Sequence, residues 1–168
     1  METFFTSDTH FGHAKIIEYC KRPFASVEEM DEEMVRRWNS VVKPSDNVYH
    51  LGDFSFKNGE VVRKRLNGNI FLVLGNHDNG TNYGFIWMKD YYELKVNDQK
   101  VVLFHYGMRT WHHDLRGNWH LYGHSHGGLP AYGKSCDIGV DVWNFSPVHF
   151  DQVKRFMDGR EIANHPRF

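Results

Sequence analysis

Five short polar segments, in order along the chain, hold residues able to bind metal ions. They are Asp8-Thr9-His10, Gly52-Asp53, Gly75-Asn76-His77-Asp78, His105 and Gly123-His124-Ser125-His126. Asp, Asn and His together mix hard and borderline donors, a set that suits divalent transition metals. Each segment follows or terminates a short strand-type run, at residues 3–6, 47–51, 70–74, 101–104 and 119–122. One histidine at a strand end is ordinarily a satisfied core or surface residue. Five such segments in series are not what core packing requires, and they predict a divalent metal centre built at strand ends. No Ser/His/Asp arrangement competes for the chemistry.

The elements that must position these residues follow from local pattern. Residues 13–21 read as a short helix, ended by Pro23. Ser26 has the character of an N-cap, with Glu29 as its capping-box partner. The helix it starts is expected over 27–41, with Met30, Met34, Val35 and Trp38 on its apolar face. Its acidic first turns and later Arg36 and Arg37 complement the helix dipole. Residues 60–66 read as a basic amphipathic helix stopped at Asn67-Gly68-Asn69, and 152–157 as a short terminal helix. Residues 91–96 and 100–104 read as an antiparallel hairpin, and 135–140 as a further strand. Strands alternate with helices early and pair as hairpins late. That order predicts an α/β fold with a mixed sheet or two stacked sheets, whose functional residues sit at strand ends.

The chain of 168 residues has the usual length of one domain, so a single domain over 1–168 is expected. With 40% hydrophobic residues it can build one sizeable core. A net charge of −1 offers no global field for long nucleic acid or an anionic membrane. No apolar run approaches the length of a membrane span. The first polar segment begins at Asp8, which leaves no room for a cleavable leader ahead of it. Cys20 and Cys136 lack metal-type spacing, and a reduced, cytoplasmic protein is the expectation.

The five segments together resemble the five motifs of the calcineurin-like metallophosphoesterases, over residues 6 to about 143. The strings from His105 to Trp111 and from Asp137 to Trp143 resemble a compact bacterial and phage subgroup of that superfamily. The resemblance implies two stacked mixed β-sheets flanked by helices, a four-layer sandwich with a dinuclear centre at one edge. It implies that Asp8, His10, Asp53 and His126 hold one metal. Asp53, Asn76, His105 and His124 would hold the other, so that Asp53 bridges. His77 would be catalytic without being a ligand. Ser/Thr protein phosphatases carry an arginine shortly after the Gly-Asp motif, whereas this chain runs Phe54-Ser55-Phe56-Lys57, which argues against that role.

Two metals would neutralise the negative oxygens of a phosphoester, orient its phosphorus and lower the pKa of a shared water. A metal-bridging hydroxide would then attack in line. His77 would protonate the leaving oxygen, and Asp78 would orient the His77 ring. Mn, Fe, Zn, Ni and Co all suit these ligands. The expected activity is hydrolysis of small phosphoesters or nucleotides at an open, shallow site, with diesters slightly preferred. The alternatives are a nuclease or RNA/DNA-end-processing enzyme with a short nucleic-acid footprint, and a non-catalytic metal-binding interaction scaffold.

Other residues admit two readings. His13 either lines the pocket or starts a helix. Arg109, His112, His113 and Arg116 form a basic loop that either contacts substrate or is solvated; Arg109, His13 and His112 are the candidates for substrate binding. Asp137 and Asp141 either support ligand histidines or make turn hydrogen bonds. Trp111 and Trp143 either stack a nucleobase or belong to the core. His50 reads as a packed strand residue.

Overall fold

The Ser26 cap works as the pattern predicts. In the computed structural model, which describes residues 1–166, Ser26 Oγ accepts the Glu29 N–H at 3.1 Å. The Glu29 carboxylate reaches one residue beyond the cap, to the Ala25 N–H at 2.7 Å. Residues 167 and 168 of the expected domain lie outside the described range. The helix after the cap, α2 (Val27–Val41), buries Met30, Met34, Val35 and Trp38. Each such side chain, fully buried, contributes roughly 1.5–3 kcal/mol. Helices α1 (Lys15–Tyr19) and α3 (Gly59–Arg65) are shorter, and α4 (Phe150–Asp158) ends the ordered elements.

Among the described residues, nine strands form two sheets. The first contains β1 (Thr3–Thr6), β2 (Asn47–His50), β3 (Asn69–Val73), β4 (Met88–Lys89) and β9 (Val148–His149), in the order β4-β3-β2-β1-β9. Strands β1 to β4 are parallel and β9 is antiparallel to β1. The second sheet contains β5 (Tyr91–Val96), β6 (Gln99–Phe104), β7 (Trp119–Tyr122) and β8 (Ser135–Asp137), in chain order. Strands β5 and β6 form the predicted hairpin, turning at Asn97 and Asp98, both of positive φ. The remaining pairs of this sheet are parallel. Both sheets are therefore mixed, as expected.

The core between the sheets joins Phe5, Leu51 and Val73 to Val101, Leu103, Leu121 and Ile138. A second apolar cluster lies beneath α2 and α3, built on Phe4, Val48, Ile70 and Leu72. Helix α4 contributes Phe150, Val153 and Met157 to the inter-sheet cluster. Val102, from β6, packs with Trp111 and Ala163 in a third, smaller cluster. Near the ends of β1 and β8, a parallel bridge between Ser7 and Gly139 ties the two sheets together. All the polar segments leave their strands at this seam. Among the described residues no helix is long and apolar enough to cross a membrane, and Cys20 and Cys136 are both free thiols.

Candidate metal centre

The loops that leave the strands are tightly wound. Asp8, His10, Asp53, His124 and His126 all have φ between 46° and 66°, a region side chains other than glycine rarely adopt. Each such residue costs on the order of 1–2 kcal/mol, and such residues gather where function over-determines the backbone. Two glycines allow the close approach. A Cβ on Gly75 would meet Asp53 Oδ1, and one on Gly123 would meet Ser7 Oγ and Asp8 Oδ2.

Asp8, His10 and His126 form one group whose ligand atoms lie within 4.8 Å of one another. Asp8 accepts the His124 N–H at 2.9–3.0 Å. Burial pushes its carboxyl up to about 7, against the favourable field of His126. Burial, with help from Arg22 and His126, lowers His10 to about 2, so its imidazole stays neutral and keeps a lone pair. His10 Nε2 is buried without a hydrogen-bond partner and lies 3.5 Å from Asp53 Oδ2. His126 Nδ1 bonds to Asp141 Oδ2 at 2.7 Å, which leaves Nε2 for the cluster. Burial acts to lower the His126 pKa, yet Asp141 and Asp8 hold it above its ordinary value.

Asp53, His105 and His124 form the second group, again with ligand atoms within 4.8 Å. His105 Nδ1 lies 2.6 Å from the Leu51 carbonyl and must donate to it. Its Nε2 therefore presents a lone pair, 3.0 Å from Asn76 Oδ1 and 3.7 Å from Asp53 Oδ2. Asn76 Oδ1 also lies 2.9 Å from His124 Nδ1. Acceptor atoms that converge in this way fit a cation between them. The donor chemistry and the orphaned His10 nitrogen both suit divalent metals, and the two groups are candidate metal sites. Asp53 Oδ2 stands between them.

The His77 ring lies beside this cluster, 5.6 Å from His10 and 4.9 Å from Phe56 between centroids. The His77 N–H donates to Asp53 Oδ1 at 2.9 Å. Asp78 does not contact the His77 ring in the way expected. Its carboxylate accepts the N–H groups of Asp53, Phe54 and Gly75 at 2.8–3.1 Å and so clamps two loops together. Burial raises its pKa despite those three bonds. His13 is brought to the site: its Nδ1 is 3.3 Å from His10 Nδ1, and it lines the same cavity of about 720 Å³ as His10, Asp53, His77, His124 and His126.

Arg109 and His112 are not brought to that cavity. The Arg109 guanidinium lies 3.8 Å over the Tyr132 ring, and His112 pairs with Glu93 at 2.9 Å. Topology explains this. Strands β6 and β7 are parallel neighbours, so the chain after His105 must return to the other end of the sheet. Trp111 is buried on that return path and donates to Asn118 O, and the half-buried Trp143 packs against the inter-sheet core and donates to Asp137 O. His50 is a buried strand residue, bonded to Thr9 Oγ1 and to the Gly52 N–H. Asp137 accepts from Ser125 Oγ and from the Gly127 and Gly139 N–H groups, shaping the loop around His126.

Sequence reasoning missed Arg22. It is buried, pairs with Asp141 at 2.8 Å through two nitrogens, and donates to the carbonyls of Asp8 and Thr9. It thus holds the wound Asp8–His10 turn and the residue behind His126. Its ion pair spans 119 residues, and no local pattern announces it.

Residues 1–129 match the family model described as "Calcineurin-like phosphoesterase superfamily domain". An uncharacterized protein of Methanocaldococcus jannaschii is 34% identical over 169 residues, covering 94% of this chain and 92% of that one. The gene 66 protein of Mycobacterium phage L5 is 38% identical over 82 residues, 45% of this chain and 39% of that one. The crystal structure of a protein of unknown function from Aquifex aeolicus superposes with a TM-score of 0.74 at 23% identity, covering 92% of this chain and 98% of that chain.

Proposed function

The chain belongs to the calcineurin-like phosphoesterase superfamily, and from that premise we propose that it is a dinuclear-metal phosphoesterase acting on small phosphoesters, diesters slightly ahead of monoesters. The observation that carries this reading is the position of Asp53 Oδ2, 3.5 Å from His10 Nε2 and 3.7 Å from His105 Nε2. One carboxylate oxygen so placed is suited to hold two cations close together. Asp8, His10 and His126 would complete one site; Asn76, His105 and His124 would complete the other.

Two divalent ions held there would neutralise phosphoryl oxygens and lower the pKa of a water for attack. The chain's own residues supply the rest. Arg22 and Asp141 fix His126, and the Leu51 carbonyl fixes the tautomer of His105. Asp78 holds the Asp53 and Gly75 loops at their close approach. The His77 ring, exposed at the cavity, donates a proton to the leaving oxygen.

The test is a panel of phosphomonoesters and diesters run with Mn, Fe, Zn, Ni and Co, alongside elemental analysis. Two metals per chain are expected, with turnover that vanishes on chelation and returns with metal. Full activity after exhaustive chelation would overturn the reading.

A further inference from the structure

The cavity holding the candidate metal residues is not polar throughout. Ile16, Tyr19, Cys20 and Phe56 line it together with His10, Asp53 and His77. Tyr19 is 67% exposed and Phe56 44% exposed. Neither belongs to the apolar clusters that hold the sheets and helices together. Large apolar side chains left uncovered beside a polar site are an informative departure from ordinary burial.

These side chains form a row. The Tyr19 ring meets His13 edge-on at 6.3 Å, and His13 stacks on Phe56 at 3.8 Å with 16° between planes. Phe56 in turn lies 4.9 Å from His77 and 5.6 Å from His10. The row therefore runs from solvent at Tyr19 to the metal-binding cluster. Its backbone is tied to the catalytic loop: the Phe56 N–H donates to Phe11 O at 2.8 Å, and the His13 N–H to His10 O at 3.1 Å. Such anchoring holds the Phe56 and His13 backbone beside the Asp8–His10 turn. Asp53 is the single carboxylate in the cavity lining, and Lys21 adds a cation there.

We propose that Tyr19, His13 and Phe56 form a stacking subsite for a nucleobase, so that the substrates are nucleobase-bearing phosphoesters. This rests on the phosphoesterase reading and names its substrate class. The phosphate would sit at the metal cluster and the base against the aromatic row. Every base has a π-face, so stacking favours bases over aliphatic substituents without selecting strongly among them. The same row takes over the role that sequence reading offered to Trp111 and Trp143, neither of which lines this cavity.

The experiment compares AMP with ribose 5-phosphate by calorimetric titration of the metal-loaded and metal-free protein, and follows quenching of a 2-aminopurine nucleotide. AMP is expected to bind about five- to tenfold more tightly, the gain of one base stacked on an aromatic row. Tyr19→Leu and Phe56→Leu keep apolar volume but remove the flat faces. Each should reduce that preference and the quenching while the affinity for ribose 5-phosphate stays unchanged. Tyr19 is exposed at the end of a helix, so its variant tests the idea even if Phe56→Leu folds poorly. Equal affinities in the wild type, or a preference intact in the double variant, would overturn the subsite. Absence of metal-dependent turnover on bis(p-nitrophenyl) phosphate and p-nitrophenyl phosphate would instead overturn the phosphoesterase reading, and the subsite with it.

Discussion

The two candidate metal groups are held by different chemistry. The Asp8, His10 and His126 side is backed by a buried ion pair: Arg22 grips Asp141, which grips His126, and also fastens the Asp8 and Thr9 carbonyls. On the His105 and His124 side the groups that face the imidazole rings are neutral, while the Asp78 carboxylate clamps the Asp53 and Gly75 backbone. Leu51 O orients His105, and Asn76, itself exposed, is the oxygen that faces both imidazoles. The first side is deep and carries fixed charge; the second opens to solvent. On the dinuclear reading proposed above, that contrast would give a firmly held ion at the first and a more exchangeable one at the second, with Asp53 common to both.

The largest effect should come from the shared residue. Asp53→Asn keeps the shape but halves the carboxylate's capacity for two cations. Turnover should fall below detection, and elemental analysis should find both metals depleted. Loss of one metal with the other fully retained would show that Asp53 serves one side alone. His77 belongs to neither side. His77→Ala should leave both metals in place while kcat falls by about 10²–10⁴, the usual effect of a lost general acid. The loss should shrink with a very good leaving group, and an equal loss for good and poor leaving groups would remove the acid role.

Asp141→Asn sharpens the contrast directly. It should weaken binding on the Asp8 side by roughly 10–100-fold, as removal of a ligand's supporting carboxylate does elsewhere. Two-site metal titration should find the other affinity unchanged. If both affinities fall together, the two supports are not independent.

The expectation for α2 is met residue for residue because its information is local: a cap, a dipole pattern and an apolar stripe. The strand-end placement of the site was legible for a similar reason, since each polar segment adjoins its own apolar run. Strands β4 and β9 are two residues each, too short to show a period. The first helix starts at Lys15, not His13, because the His13 N–H closes a turn onto His10 O. The loop holding Arg109, His112, His113 and Arg116 reads from sequence as a candidate for substrate contact because strand-end segments flank it. Parallel pairing of β6 and β7 carries it away, and pairing direction is not written in either strand. Phe56 and Tyr19 gave no signal because exposure is a tertiary property.

The smallest expected effect is one of pH, on the His105 side. His120, buried in β7, accepts the Met108 N–H at its Nε2, 3.1 Å away. Its Nδ1 therefore carries the proton and donates to Val102 O at 3.2 Å. This ring steadies the backbone that follows His105. Burial lowers its pKa from 6.5 to about 4, against the pull of the Val102 and Tyr106 carbonyls. The folded value lies below the unfolded one, so the unfolded chain takes up the proton first as pH falls. The contribution is whole above pH 6.5 and is lost progressively as pH falls through about 4. His120→Gln removes the titrating group and keeps an acceptor, so its stability should fall less steeply over that acid range. Chemical denaturation of both proteins across the range decides it: parallel profiles would show that the protonation of His120 does not differ between the folded and unfolded states.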